Sequence, residues 1–297
     1  MCVPMKVALA LAAACVLVAE PSEAAKKKAA AAQSGRISIA YVAPKDPAHQ
    51  RMYQRLQEVR FLEKLKEVMS PVRLPRRLKV ITEGCDGEAN AWYDDDAITI
   101  CYEYIDEMWK NAPAETTPEG VAPIDAVIGP VFDTAMHEFG HALFDMLRIP
   151  VFGREEDAAD QVAAYITLQL GKEEARRLIG GTAYAYYTEA KAIARPALAQ
   201  FANEHGLPAQ RFFILLCIAY GADPKAFGNI IERGYLPKDR AENCESEYKQ
   251  AAYAFEKLIR PHVDFRLAKK VMNKSWLPEP TKRIHRRADS RPSAQSK

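Results

Sequence analysis

The chain has 297 residues, 41 of them Lys or Arg and 39 Asp or Glu, with a formal charge of +2. Its two ends hold +7 of that charge, which leaves residues 35–280 at −5. An acidic body lacks the basic face of a nucleic-acid binder, so that function class is excluded, and about 240 residues suit one domain or one domain with two lobes around a cleft.

Residues 1–25 read as a signal peptide. Lys6 is a minimal positive n-region, Val7 to Val18 an apolar h-region, and Ser22-Glu23-Ala24-Ala25 supplies small residues for cleavage. That apolar run is too short to span a bilayer, so no stable membrane span is expected. The protein is expected to be exported, periplasmic or secreted. Met5-Lys6 offers an alternative start, and Ala12-Ala13-Ala14-Cys15 a weaker lipoprotein-type cleavage site. Residues 26–34 form an alanine-lysine linker, and residues 276–297 a disordered basic tail.

Between these ends, residues 35–275 are expected to form one domain. Arg36 to Val42 alternates as a strand, and Pro47 to Met69 carries Met52, Leu56, Val59, Leu62, Leu65 and Val68 at helical spacing. Leu78 to Thr82 is a second strand. Asn90 to Tyr93 and Ile98 to Tyr102 form a hairpin across Asp94-Asp95-Asp96. From Ile124 onward the pattern is helical, interrupted at Pro150, Gly171, Pro196, Gly206, Pro224 and Pro237. The fold class is α+β, a small antiparallel sheet followed by a mostly helical lobe.

Cys2 and Cys15 leave with the signal peptide, so Cys85, Cys101, Cys217 and Cys244 remain. An even number in an exported chain points to two disulfides with three possible connectivities. Local pairing, 85–101 and 217–244, is the economical choice. A four-cysteine metal site is disfavoured because no C-x-x-C spacing occurs.

The sharpest signal is His137-Glu138-Phe139-Gly140-His141, an H-E-x-x-H run. Chance produces it in roughly one such chain in a hundred. Residues four apart share a helix face, so His137 and His141 can hold one metal ion while Glu138 reaches a water beside it. Val131, Phe132, Ala135, Met136, Ala142, Leu143 and Phe144 surround the motif, so its helix is buried nearly all round and its polar atoms need partners.

A third ligand must complete the site. The extended H-E-x-x-H-x-x-G-x-x-H arrangement is excluded by Phe144 and Leu147. Beyond a turn at Pro150 and Gly153, a second helix starting near Glu155 would pack antiparallel to the first. Glu156 and Asp160 lie one turn apart on it. Glu156 is the expected third ligand, and Asp160 the carboxylate orienting His137 or His141. Glu155 and Asp157 are explained by the macrodipole at that helix's N-terminus.

These residues resemble the gluzincin branch of zinc metallopeptidases, the thermolysin-like proteins. More closely, the chain resembles a family of exported bacterial metallopeptidase-like proteins catalogued as a domain of unknown function. The Asn90-Ala91-Trp92-Tyr93 hairpin ending in Cys101-Tyr102-Glu103, the H-E-x-G-H helix and Gly153 to Asp160 carry that likeness. Arg211 to Gly221 and Leu236 to Cys244 extend it over most of residues 36–262. The resemblance implies a zincin-like fold with the motif helix at a cleft and one zinc ion per chain. It also implies that Asn90, Ala91 and Trp92 form an edge strand facing substrate. The gap between His141 and Glu156 is shorter than thermolysin-like proteins usually have.

The expected activity is hydrolysis of a peptide or protein substrate by a zinc-activated water, with Glu138 as general base. His205 is a candidate donor to the oxyanion, as are Tyr165, Tyr184, Tyr186 and Tyr187. Two other classes fit the same motif: a zinc hydrolase of cell-wall peptides and a non-catalytic, metal-stabilised binding protein.

Overall fold

Four strands form one sheet in the order β1-β2-β4-β3, with β1 at Ile37–Tyr41, β2 at Leu78–Glu83, β3 at Ala91–Asp94 and β4 at Ala97–Cys101. They belong to a computed structural model that describes residues 36–193 and 195–280; the expected signal peptide, linker and most of the basic tail lie outside these residues. The α+β class holds. The expectation of an antiparallel sheet does not, because β1 pairs with β2 and β2 with β4 in parallel, leaving only the β3–β4 hairpin antiparallel. The cause is connectivity. Helices α1 (Gln50–Glu58) and α2 (Phe61–Met69) lie between β1 and β2, and a helical crossover returns the chain in the same direction.

The apolar spacing from Pro47 to Met69 predicts one helix, but the chain makes a 3-10 turn at Pro47–His49 and then two helices. Arg60 adopts a left-handed conformation at φ 54° and separates them. The new N-terminus is held from β1: the Tyr41 hydroxyl accepts from the Leu62 N–H at 2.8 Å and donates to Glu63 at 2.7 Å. Leu56, Leu62, Leu65 and Met69 still reach the core on both sides of the break, which is why periodicity does not reveal it.

Directly after β4 comes a helix the sequence reading missed, α3 at Tyr102–Asn111. Tyr102 is fully buried, and its hydroxyl donates to the Val42 carbonyl at 2.7 Å. Helix α4 (Asp125–Leu147) carries the H-E-x-x-H motif and is buried along most of its length. It ends at Arg148, left-handed at φ 54°, and α5 (Glu155–Leu168) folds back against it. Helix α6 (Lys172–Ala192) covers the other side.

Two close approaches set α4 in place. A Cβ on Gly140 would lie 3.1 Å from the Ala159 Cα, so α5 rests against the motif itself. Near the start of α4, Gly129 meets Gly181 of α6, and a Cβ on Gly181 would fall on the Asp125 carbonyl.

The remaining helices are α7 (Pro208–Ala222), the short α8 (Pro224–Phe227), α9 (Asn229–Glu232) and α10 (Lys238–Ala241), then α11 (Cys244–Leu258) and α12 (Phe265–Met272). A second apolar cluster joins α7 to α11 through Leu215, Ile218 and Ala251. Both cysteine pairs are disulfides: Cys85–Cys101 ties the loop before β3 to the end of β4, and Cys217–Cys244 joins α7 to α11. The C-terminal helices return to the sheet-bearing half, where the Arg73 N–H donates to the His262 carbonyl and the Asp264 N–H to the Pro71 carbonyl, each at 2.7 Å. No described helix is long and apolar enough to cross a membrane.

Candidate metal centre

Three helices and one loop bring the site together. The antiparallel packing of α4 on α5 sets His137 against Glu156 and Asp160, and His141 against Glu155. The His137 Nε2 lies 3.0 Å from the Glu156 Oε2 and 3.1 Å from the His141 Nε2, and the third side of this triangle is 3.4 Å. Four-coordinate zinc with bonds of about 2.0–2.1 Å separates its ligand atoms by roughly 3.3 Å, so the triangle has the right size.

The outer ring nitrogens settle what these inner atoms are. The His137 Nδ1 lies 2.8 Å from the Asp160 Oδ1, and the His141 Nδ1 2.8 Å from the Glu155 Oε1. A carboxylate on Nδ1 calls for a proton there, and this leaves a lone pair on each inner Nε2. Two lone pairs and a carboxylate oxygen then face one another at hydrogen-bond distance. Such an arrangement repels itself unless a metal ion or a proton sits among the three. The donor set therefore fits a zinc ion held by His137, His141 and Glu156, with Asp160 assigned to His137.

Asp160 is itself held. Arg211 of α7 grips it through two hydrogen bonds of 2.8 and 2.6 Å, and the guanidinium lies 4.7 Å over the Tyr186 ring. The Tyr186 hydroxyl donates to Asp133 at 3.1 Å, one turn before His137. Burial pushes the Asp133 carboxyl up to about 6, aided by the charge of Asp160. Burial would also raise Asp160, but His137 and Arg211 outweigh it and hold this carboxyl well below its usual range.

Glu138 points elsewhere. It is 7% exposed, and its carboxyl is raised by burial against the pull of both histidines and of the Tyr93 backbone in β3. A cleft of about 1070 Å³ opens here, lined by Asn90 to Tyr93, the motif residues and Tyr186. In the hairpin the Cys101 N–H donates to Asn90, so Asn90, Trp92 and Asp94 bond inward. Ala91 and Tyr93 face outward, and β3 is the free edge of the sheet along the cleft.

His205 reaches this centre from the loop between the 3-10 turn Leu198–Ala202 and α7. Its Nε2 is 2.7 Å from the Glu156 Oε2, and its ring stacks on His137 at 5.6 Å between centroids. The ligand atoms of His137, Glu156 and His205 all lie within 4.8 Å of one another. Of the four candidate tyrosines only Tyr186 lines the cleft. Tyr165 stacks on Phe255, while Tyr184 and Tyr187 face a different cavity.

Sequence reasoning missed Glu155 as the partner of His141, having assigned it to the helix dipole. It also missed Arg211 and Asp133. Asp133 had a signal, a buried carboxylate four residues before His137 on the same face. Arg211 had none in its spacing, since it stands 51 residues from Asp160.

Residues 41–259 match the model of a family described as "Putative metallopeptidase". No curated protein and no solved structure gives a match.

Proposed function

The chain belongs to that metallopeptidase family, and from this premise we propose that it is a zinc-dependent peptidase acting in the periplasm or the medium. The observation that carries the reading is the converging trio of His137, His141 and Glu156, with each histidine braced by its own carboxylate and Glu138 close by. When bound, zinc would make water acidic enough to ionise near neutral pH and would polarise a peptide carbonyl.

The chain's own residues supply the rest. Glu138, raised by burial, takes the proton of the attacking water and passes it to the leaving amine. His205 is assigned as donor to the developing oxyanion, since its ring nitrogen reaches the donor set and its side chain is 47% exposed at the cleft. An extended substrate lies along β3 beside Asn90 and Trp92, donating to the outward Ala91 carbonyl and taking the Ala91 N–H over from the Asn90 side chain. The two disulfides support export, because such bonds persist in oxidising compartments.

Glu138→Gln tests the reading directly. Turnover of a mixed peptide library is expected to fall by about 100- to 10,000-fold while the variant keeps its metal and its melting curve. Unchanged turnover would remove Glu138 from its role. Less than about half an equivalent of zinc in gently purified wild type would sink the metal centre itself.

A further inference from the structure

Helix α6 presents two faces. Thr182, Ala185, Tyr186 and Glu189 border the cleft of the metal centre, whereas Ile179, Ala183, Tyr184 and Tyr187 border a separate cavity of about 430 Å³. We propose that this second cavity binds an amphipathic anion of the fatty-acid class.

Its floor is apolar and fixed. Ile179, Ala183, Phe212, Leu216 and Phe227 are all buried and belong to the packed cluster under α7. Gly180 contributes no side chain to the wall, and a Cβ there would be 3.8 Å from the Val121 side chain. Tyr187 extends the floor outward, 5.5 Å from Phe212 and edge-on to Tyr235 at 5.9 Å. A roof closes part of the space, because Arg233 donates to the Pro118 carbonyl at 3.1 Å and the Tyr235 hydroxyl to Glu119 at 2.7 Å. The volume falls within the roughly 300–1,000 Å³ of small-molecule sites.

The charge at the mouth selects the head group. Arg177 and Asp125 neutralise each other at 2.6 Å, and Arg176 is held by Glu173 at 2.7 Å. Glu119 feels Arg233 but is hydrogen-bonded to Tyr235. Lys191 rests 4.7 Å over the Tyr187 ring. Among the described residues neither Lys191 nor Arg233 forms an ion pair, and both are exposed. An apolar chain laid on the floor therefore ends beside two exposed cations, one on a carbonyl and one on a ring but neither in a salt bridge, which suits a carboxylate and not an amine.

Calorimetric titration of the full-length protein with decanoate, below its micelle concentration, tests this. One site per chain is expected, and the Lys191→Glu/Arg233→Glu double variant should bind at least tenfold more weakly with an unchanged circular dichroism spectrum. Glu189→Gln, on the cleft face of the same helix, should bind as wild type does. Three results would overturn the proposal: no saturable binding to wild type, equal binding to the double variant, or tighter binding by Glu189→Gln, since losing a cleft carboxylate strengthens only an anion bound in the cleft. None of these outcomes depends on peptidase activity.

Discussion

A proton can stand where a metal ion belongs. Burial opposes charge on His137, yet Asp160 and Glu156 overcome it and push the imidazole from 6.5 up to about 9 in the metal-free site. Its hydrogen bond pulls Glu156 from 4.5 down to about 2. A metal must displace that proton, so binding at pH 7.5 is expected to release close to one proton, about the number held between the inner donors. Titrations in buffers of different ionisation enthalpy would read it, and heats independent of buffer would contradict it.

The signs for stability follow. The His137 contribution is complete below 6.5 and is lost as pH rises through about 9. The Glu156 contribution is complete above 4.5 and is lost as pH falls through about 2. The metal-free protein should therefore melt earlier as pH climbs from 6.5 to 9, a trend the zinc-loaded protein should not share.

Asp160→Asn should weaken zinc binding by about 10- to 100-fold, since it removes the carboxylate that orients His137; chelator competition measures it. Glu155→Gln should do less, because Glu155 is 55% exposed and half solvated. At this scale the motif, Glu156 and Asp160 were legible because their positions repeat on helix turns. Arg211 was not, because a contact across 51 residues leaves no period to read.

Elements set these side chains through backbone contacts that tolerate little change. Gly181→Ala places a methyl group on a carbonyl of α4 that cannot swing aside as a side chain could. A loss of about 1–3 kcal/mol is expected, the usual range for overpacking, with urea denaturation as the measurement. A neutral result would show that α4 and α6 can slide apart.

The hairpin was readable because Asp95 and Asp96 both take positive φ, 44° and 60°, in a two-residue turn of the kind aspartates tolerate. Helix α3 was not readable, because Tyr102 and Ile105 are as apolar as the strand they follow and no Gly or Pro marks the change. Strand direction also escaped the sequence. Alternation says which face of a strand is buried and nothing about its neighbour's sense.

For the molecule as a whole, the disulfides lock contacts that are already packed, since Cys101, Cys217 and Cys244 are fully buried. Cys217–Cys244 closes a separation of 27 residues between α7, which carries Arg211, and α11. Replacing both cysteines by alanine should cost about 3.5 kcal/mol on loop entropy alone, seen as a lower melting temperature under oxidising conditions. Local pairing was legible because hairpin and adjacent-helix geometry bring nearby cysteines together. The contact of Arg73 with His262 was not legible, since nothing in either segment names the other.

Strand β3 has a consequence outside catalysis. An unpaired sheet edge is where chains stack into aggregates. Here the edge is four residues long and is sunk beside a cleft. Asn90 covers the Ala91 N–H with its own side chain. A single extended strand can enter such a slot lengthwise, but the broad rim of a second folded copy cannot. The recess proposed to take one substrate chain thus also shields β3, and filling it with a bulky side chain should leave β3 equally shielded from self-association.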